Sequence, residues 1–299
     1  MSNQTDFQAW AAAGQSRIEA VLHKLLPAPE IAPQRLHQAM RYAVLGGGKR
    51  VRPLLAFAAG ELSEADPARA AFAGAAVEII HAYSLVHDDL PCMDDDVLRR
   101  GKPTCHVEYE EPTALLVGDA LQSLAFQVMT EYKLCDDASV QLEMTKLLAA
   151  ASGSRGMAGG QAIDLESVGK ALTVPELEFM HVHKTGAIIR AAALLGLKCG
   201  VPLSAREHTD VDTFAKRIGL AFQVVDDVLD ADATTATLGK TAGKDAQQGK
   251  PTYVSAMGLA RARAFAEELR QEAMKALESF GVRALRLRQL ADFIVLRKF

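Results

Sequence analysis

Two long stretches of this 299-residue chain are almost entirely apolar and then end in clustered aspartates. Their composition predicts one helix over residues 68–90 and another over residues 205–232. A helix that is apolar on all sides is packed on all sides, so we expect both in the interior of the molecule. Buried carboxylates are costly unless cations neutralise them. The pattern therefore predicts a helical protein whose central helices carry acids to a cation-binding site.

The remaining sequence has the same helical character. Stretches rich in Ala, Leu, Glu and Gln alternate with loops that contain Gly or Pro, and no segment shows the alternation typical of a β-strand. The predicted helices cover residues 7–26, 33–45, 53–61, 68–90, 113–132, 140–157, 175–193, 205–232, 252–280 and 282–298. The main loops are expected at residues 46–48, 101–103, 153–160 and 239–251. No linker or repeat divides the chain, so we predict one all-α domain over residues 1–299.

Composition and charge exclude several other classes of protein. Hydrophobic residues make up 49% and charged residues 23%, which is the balance of a globular protein. The net charge of −4 lacks the basic excess of a nucleic-acid-binding protein. We see no signal peptide, and no apolar stretch reaches the ~20 uninterrupted residues of a membrane span. The four cysteines include no C-x-x-C pair and are interpreted as reduced core residues. We expect a soluble, cytoplasmic protein.

The first acid cluster lies in the segment HDDLPCMDDDVLRRGKPT, residues 87–104. Its acids are Asp88, Asp89, Asp94, Asp95 and Asp96. Asp88 and Asp94 are six residues apart, which is not a helical repeat. Pro91 between them is expected to distort the turn and bring both carboxylates to one site. His81 and Ser84 precede Asp88 on the same helical stripe.

The second acid cluster lies in the segment GLAFQVVDDVLDAD, residues 219–232, and contains Asp226, Asp227 and Asp230. Asp226 and Asp230 are four residues apart and share one helical face, with Gln223 one turn before them. Carboxylates on adjacent turns suit Mg²⁺, which takes a few carboxylates together with water and phosphate oxygens. The alternative is that such acids are only solvated helix ends. Two clusters at the ends of two buried helices make that alternative the weaker one.

Basic residues suggest two anion sites. The segment GGGKRVRP, residues 46–53, is a glycine turn before a helix, with Lys49 and Arg52 able to face one anion. It is not a Walker loop, because the G-K-[ST] ending and the preceding strand are missing. The other candidates are Arg99, Arg100, Lys184, Lys240, Lys244 and Lys250. Each alone is typical of a protein surface. Together they favour one anion bridged to the acids by metal and a second anion bound without metal.

These motifs together resemble those of trans-isoprenyl diphosphate synthases, and most closely those of the bacterial farnesyl diphosphate synthases (geranyltranstransferases). The resemblance runs from about residue 40 to the C-terminus and includes GGGKRVRP, the long first aspartate motif with RRGKPT, GDALQ at Gly118–Gln122, GGQAIDLE at 159–166, HKTG at 183–186, FQVVDDVLD at 222–230 and the LGK…GKPTY loop. Residues 1–39 carry no diagnostic motif, and the segment 106–116 is more acidic than expected.

The resemblance implies an isoprenoid-synthase-type helical bundle around a deep central cavity, usually a homodimer. It also implies a magnesium-dependent prenyltransferase, with three Mg²⁺ ions per active site that Mn²⁺ can replace. Its substrates would be isopentenyl diphosphate and an allylic diphosphate. The allylic diphosphate ionises, the carbocation alkylates isopentenyl diphosphate, and a proton is then lost. Metal electrostatics, positioning and a dry cavity would supply catalysis.

Carried onto this sequence, the resemblance assigns a role to each motif residue. The metal ligands would be Asp88, Asp94 and Asp226, supported by Asp89, Asp227 and Asp230. Isopentenyl diphosphate would contact Lys49, Arg52, His81 and Arg100, and the allylic diphosphate Arg99, Lys184, Lys240 and Lys250. Thr185 and Gln223 would place oxygen dipoles near the cation, with Gln161 and Asp164 ordering this polar shell. Asp95, Asp96, Lys244 and Asp245 would have no direct role. The alternative for His81 is an ordinary core histidine.

Product length is expected to depend on Tyr83 and Ser84, about one turn before the first acids. In this family an aromatic residue near that place, together with two residues inserted in the first motif, accompanies C15 products. We therefore predict (2E,6E)-farnesyl diphosphate, made from dimethylallyl and then geranyl diphosphate. A geranylgeranyl or geranyl diphosphate synthase is the alternative within the family. A terpene cyclase and a non-catalytic partner subunit are more remote alternatives.

Overall fold

The computed structural model describes residues 2–232 and 249–297, with side chains from Asp6 onward. In these ranges the chain forms fourteen α-helices. They are α1 (Ser2–Leu25), α2 (Gln34–Val44), α3 (Val51–Leu62), α4 (Pro67–Asp88), α5 (Cys105–Tyr109), α6 (Glu111–Glu131), α7 (Ala138–Ser152), α8 (Met157–Glu166), α9 (Val174–His181), α10 (Ala187–Lys198), α11 (Ala205–Asp232), α12 (Tyr253–Met257), α13 (Leu259–Ala276) and α14 (Leu285–Val295). The prediction of an all-α fold is confirmed.

Three shorter elements join the helices. A π-helical turn, Val182–Gly186, connects α9 to α10, and a 3₁₀ segment, Glu278–Ala284, precedes α14. Strands β1 (Leu98–Arg99) and β2 (Lys102–Pro103) pair antiparallel in a small ribbon after the first acid cluster. The π-helical turn and the ribbon both hold residues that the sequence singles out.

Helix α4 occupies the centre of the bundle. It begins where the Asp66 carboxylate accepts a hydrogen bond from the Ala68 amide at 2.7 Å, with Pro67 at the first helical position. It packs against α1, α3, α6 and α10. By length and composition alone α4 could cross a membrane, but 78% of its apolar window is buried inside the protein. Burial on all sides explains the apolar sequence and delivers the terminal Asp88 to the interior.

Helix α11 carries the second acid cluster and packs most extensively against α13. A separate apolar cluster joins α11 to α9, α12 and α13 through Leu177, Val224, Tyr253 and Leu269. The larger apolar cluster fills the space among α1, α3, α4, α6 and α10. Helix α11 belongs to both clusters: Val211, Phe214 and Ile218 in its first half pack in the larger one, and its acid-bearing half packs in the smaller one.

Several predicted boundaries were wrong. The helix predicted over 175–193 is interrupted by the π-helical turn, and the helix predicted over 252–280 breaks at Gly258, whose φ of +79° belongs to the left-handed region. The loop predicted at 153–160 contains the start of α8, and α5 and the β-ribbon were not predicted. Cys92 is exposed, whereas the other three cysteines are buried as expected.

Candidate active site

A cavity of about 330 Å³ lies between α4, α8, α10 and the π-helical turn. Its apolar lining consists of Tyr83, Leu85, Met93, Met157, Ala158, Ala162, Leu165 and Ile188. Its polar lining consists of Arg52, His81, Ser84, His87, Asp88, Gln161, Lys184 and Thr185. A largely apolar cavity with a few convergent polar groups is the usual form of a small-molecule site.

The first acid cluster folds back on itself, as Pro91 led us to expect. Helix α4 ends at Asp88, and the Asp94 amide donates to the Asp88 carbonyl at 2.8 Å. Burial raises the pKa of the Asp88 carboxyl to about 7, and the negative charge of Asp94 adds to the effect. The Lys184 ammonium opposes it. Burial is therefore the main effect that disfavours ionisation of this carboxyl, and a nearby cation would favour its charged form.

Two lysines place positive charge among these acids. The Lys184 ammonium donates to Asp164 at 2.5 Å, and the Lys250 ammonium donates to Asp94 at 2.8 Å. Lys250 is also 3.8 Å from Asp164. Burial disfavours the charge on Asp164, but the Lys184 ammonium holds the pKa of that carboxyl below its usual value. The prediction assigned Lys184 and Lys250 to the allylic diphosphate and Asp164 to the polar shell near the cation, and these roles stay predictions. The structure brings the three side chains together beside Asp94.

The π-helical turn sets the position of Lys184 and Thr185, and two glycines of neighbouring helices pack closely against it. A Cβ on Gly160 of α8 would lie 2.1 Å from the Lys184 amide nitrogen. A Cβ on Gly219 of α11 would lie 3.0 Å from the Gly186 Cα. Only glycine allows α8 to approach the turn so closely. π-Helical turns inside α-helices are frequent at functional sites.

A chain of hydrogen bonds links this turn to the second acid cluster. The Thr185 hydroxyl donates to the Gln223 side-chain oxygen at 3.1 Å, and the Gln223 amide donates to Asp227 at 2.9 Å. Asp227 also accepts from the Tyr253 amide at 2.8 Å, at the start of α12. The sequence put Gln223 beside Asp226, but its bond is to Asp227. Asp227 is 4% exposed and Asp230 is 8% exposed.

Asp226 has a partner that the sequence did not suggest. The Arg297 guanidinium, near the C-terminus, donates to the Asp226 carboxylate and to the Phe222 carbonyl. It also stacks on the Phe222 ring, with its Cζ 4.3 Å from the ring centroid. A single arginine near the end of a chain has no local pattern that identifies it. Arg297 reaches the site because α14, which ends two residues before it, packs against α11.

The glycine turn and its basic neighbours form a second region. The Arg52 Cζ lies 5.8 Å from the same Phe222 ring. Arg100 donates to the Gly47 carbonyl, and a Cβ on Gly48 would lie 2.7 Å from the Arg100 Cζ. Glycine at this position therefore makes room for the guanidinium. Lys49 is exposed beside them.

His81 faces this basic region in its neutral form. Burial lowers the pKa of His81 well below its usual value, and the Arg52 and Arg100 guanidinium groups lower it further. A neutral imidazole can still donate one hydrogen bond. The position is therefore compatible with a contact to an anion through that donor.

Asp89 and Arg99 pair with each other. Arg99 donates to both Asp89 oxygens, at 2.9 Å from Nε and 2.5 Å from one Nη, and is 3.4 Å from Asp96. Asp89 lines a different, smaller cavity, because successive helical residues point about 100° apart. Asp88 thus faces the main cavity while Asp89 holds the ribbon through Arg99. The supporting metal role expected for Asp89 and the diphosphate contact expected for Arg99 stay predictions.

Tyr83 and Ser84 both line the main cavity. The Tyr83 side chain is buried, and burial raises the pKa of its hydroxyl, an effect that the nearby Gln122 side chain of α6 opposes. The Ser84 hydroxyl donates to the His81 carbonyl at 2.9 Å. The predictions for Lys240, Lys244 and Asp245 lie outside the described residues.

Known proteins resemble this chain over nearly its whole length. The family model described as polyprenyl synthetase matches residues 33–281. The chain is 47% identical over 264 residues to the farnesyl diphosphate synthase of Escherichia coli (strain K12), covering 87% of this chain and 88% of that protein. It is 45% identical over 299 residues to the chloroplastic geranylgeranyl pyrophosphate synthase 11 of Arabidopsis thaliana, covering 98% and 82%.

A solved structure gives the same result. The geranyltransferase of Helicobacter pylori, complexed with magnesium and isoprenyl diphosphate, has a TM-score of 0.83 to this chain and is 31% identical, covering 99% of this chain and 97% of that one. The family match spans the glycine turn and both acid clusters. These comparisons confirm the resemblance drawn from the motifs and the expected enzyme class, a prenyltransferase. The chain belongs to the polyprenyl synthetase family.

Proposed function

We propose that this protein condenses isopentenyl diphosphate with dimethylallyl diphosphate, and then with geranyl diphosphate, to form (2E,6E)-farnesyl diphosphate. The observation that carries the proposal is one mainly apolar cavity that Asp88, Lys184 and Arg52 all line, with a buried tyrosine in its wall. Acids and lysines suit a metal-bridged diphosphate, and the arginine region suits a second diphosphate bound without metal. The E. coli and H. pylori relatives support the same activity.

The donor set fits Mg²⁺. Asp88 and Asp94 on one side and Asp226 and Asp230 on the other would hold it, with Asp89 and Asp227 positioned by their own hydrogen bonds. Lysine and arginine cations already contact Asp94 and Asp226. No three His, Cys, Asp or Glu side chains of the described residues form a ready-made metal cage. Mg²⁺ agrees with this, because it keeps waters and substrate phosphates as ligands.

We further propose three Mg²⁺ ions per active site, with Mn²⁺ as a substitute. Bound metal would stabilise the negative charge that develops on the leaving diphosphate as the carbon–oxygen bond breaks. Lys184 and Lys250 would contact that diphosphate, with Arg99 and Lys240 as further candidates. Lys49, Arg52 and Arg100 would bind isopentenyl diphosphate, and neutral His81 would donate one hydrogen bond to it.

The remaining residues of the chain would protect and orient the allylic cation. The oxygens of Thr185 and Gln223 lie in one hydrogen-bonded chain, so their dipoles are held in place before the substrate arrives. Both polar atoms of the Gln161 side chain are buried at the cavity without a partner among the described residues. Apolar side chains around them exclude water, which would otherwise capture the cation.

Farnesyl diphosphate is favoured over geranylgeranyl diphosphate by Tyr83. Its buried ring occupies cavity wall that a longer hydrocarbon tail would need. A relative named as a geranylgeranyl pyrophosphate synthase makes the C20 product the second candidate. We also propose that the protein is a single-domain, soluble, cytoplasmic homodimer that binds neither nucleic acid nor membrane.

The test is an incubation of the purified protein with labelled isopentenyl diphosphate, an allylic primer and Mg²⁺. We expect C15 as the main product, loss of turnover with EDTA, and recovery with added magnesium. Turnover that persists in EDTA would contradict the metal-bridged site. Release of diphosphate from the allylic substrate alone would indicate a cyclase, and no turnover at all would indicate a partner subunit.

A further inference from the structure

Arg50, in the middle of the glycine turn, is buried, whereas the neighbouring Lys49 is exposed. Its side chain is 2% exposed. Its backbone has a φ of +50° and a ψ of +38°, the left-handed conformation that non-glycine residues adopt only with support from their surroundings. Something in the structure must therefore hold this residue in place.

The support comes from three helices. The Arg50 Nε donates to Glu19 of α1, one Nη donates to Glu78 of α4, and the other Nη donates to the Val44 carbonyl at the end of α2, each at 2.7 Å. Every nitrogen of the guanidinium is used. A lysine ammonium, a single point charge on a flexible stem, cannot span three such partners.

Helix α1 makes a second contact with the glycine turn. The Gln15 side-chain amide donates to the Lys49 carbonyl at 3.1 Å. Gln15 and Glu19 are four residues apart, so they share one face of α1. A Cβ on Gly14 would lie 2.6 Å from the Leu54 side chain, which shows how closely α1 packs on α3. One helix face therefore holds both the backbone and the side chain at the base of the anion site.

Glu78, the partner of Arg50 on α4, also influences the arginines of the anion site. Glu78 is 3% exposed, and it is the carboxylate that most opposes the effect of burial, which lowers the pKa of Arg52 and of Arg100. Arg50 pairs with the Glu78 carboxylate, which still favours the charged forms of Arg52 and Arg100. The result is a rigid base beneath Lys49 and Arg52, in which one guanidinium is held between two carboxylates.

We propose that two residues of α1 are positioning residues for the metal-free diphosphate site: Glu19 acts through the Arg50 side chain, and Gln15 acts through the Lys49 backbone. The inference rests on the proposed function and gives a role to a part of the chain that carries no recognisable motif. Three successive glycines leave the turn with many conformations in solution. Pre-ordering it removes an entropic cost from the binding of isopentenyl diphosphate.

The experiment compares Glu19→Gln, Gln15→Ala and Arg50→Lys with the wild-type protein. Binding of isopentenyl diphosphate is measured by calorimetry in EDTA, and KM for each substrate is measured with Mg²⁺. In each variant we expect Kd and KM for isopentenyl diphosphate to rise roughly three- to tenfold, the effect of losing one or two hydrogen bonds. KM for the allylic substrate and kcat should stay within about twofold of wild type.

Arg270→Gln is the matched control. Arg270 is also a forked arginine, bonded to Glu267 and Asp292 on α13 and α14, and none of these residues lines the cavity. It should lower the melting temperature without changing Kd. Glu19→Gln and Gln15→Ala keep the buried Arg50–Glu78 pair, so they should fold even if Arg50→Lys does not.

The inference would be overturned if both α1 variants bound isopentenyl diphosphate with wild-type affinity. It would also be overturned if KM rose equally for both substrates, or if the Arg270 control lost affinity for isopentenyl diphosphate. These results leave the proposed function intact when the wild-type protein makes product. A wild-type protein that neither binds nor consumes isopentenyl diphosphate would instead overturn the proposed function, and the positioning role with it.

Discussion

Tyr83 sits where two helices meet the substrate cavity. Its ring is 5.8 Å from the His87 ring in an edge-on arrangement, and Gln122 of α6 lies near its hydroxyl. The side chain is 7% exposed. A buried ring in a close-packed interior has little room to swing aside for a growing hydrocarbon tail.

Tyr83→Ala should therefore lengthen the product. Removal of the ring opens space for part of another C5 unit, and the main product should shift from C15 toward C20. Chromatography of the dephosphorylated products measures the shift. Tyr132→Ala is the control, because Tyr132 stacks on Phe72 and does not line the cavity. An unchanged C15 product from a folded, active Tyr83 variant would move the stop to Ser84 or to residues 115–122.

Single residues were predictable where a motif fixes their side of a helix. Asp88, Lys184 and Thr185 lie at the cavity as the motifs led us to expect. The resemblance gave Asp89 a supporting metal role beside Asp88, which stays a prediction. The motif did not reveal that its carboxylate pairs with Arg99. Arg297 escaped prediction because its contact with Asp226 depends on the path of the whole C-terminal segment. Long-range pairs of this kind leave no local signal.

The π-helical turn shows how one short element is positioned by its neighbours. Gly160 of α8 lies against the Lys184 backbone, and Gly219 of α11 lies against Gly186. The sequence 175–193 reads as one continuous helix, because one wider turn hardly alters its apolar periodicity. Length and period thus predicted α4 and α11 well. Length and period did not predict the π-helical turn that positions Lys184 and Thr185.

Gly160→Ala should damage turnover more than folding. The new Cβ would lie 2.1 Å from the Lys184 amide nitrogen. Neither atom can rotate away, because one belongs to the backbone and the other is bonded directly to it. A displacement of about 1 Å at the site can cost roughly a hundredfold in rate, so we expect kcat to fall by about that factor. Circular dichroism should show native helicity. Gly153→Ala, whose Cβ would come no closer than 3.1 Å to a neighbouring atom, should keep wild-type kcat.

Stability at the scale of the whole molecule should respond to acid through His181. This histidine is 5% exposed, its ring is 5.6 Å from Tyr253, and Asp164 and Lys184 act on its charge. Burial lowers the pKa of His181 from 6.5 to about 3, and the Lys184 ammonium contributes. The folded protein therefore keeps the imidazole neutral where the unfolded chain binds a proton.

His181 should contribute a fall in the free energy of unfolding as the pH drops below about 6.5, of up to about 1.4 kcal/mol for each pH unit down to about 3. The raised pKa of Asp88 acts in the opposite direction between about 7 and its usual value, so the His181 contribution is measured as the difference between the wild-type protein and a variant without the imidazole. His181→Phe removes the titrating group, so its free energy of unfolding should depend less on pH in this window. Denaturant unfolding at pH 5, 6, 7 and 8 measures both slopes. They should coincide above pH 7, and parallel slopes between pH 5 and 6 would contradict the assignment.

The buried position of α4 also has a consequence for synthesis of the chain. In the finished protein this membrane-length apolar helix is covered by α3, which precedes it, and by α6 and α10, which follow. The start of α10 is roughly 100 residues beyond the end of α4, and translation at 5–20 residues per second takes about 5–20 seconds to reach it. During that interval one side of α4 has no cover on the ribosome. A chaperone that binds extended apolar segments has those seconds in which to shield it.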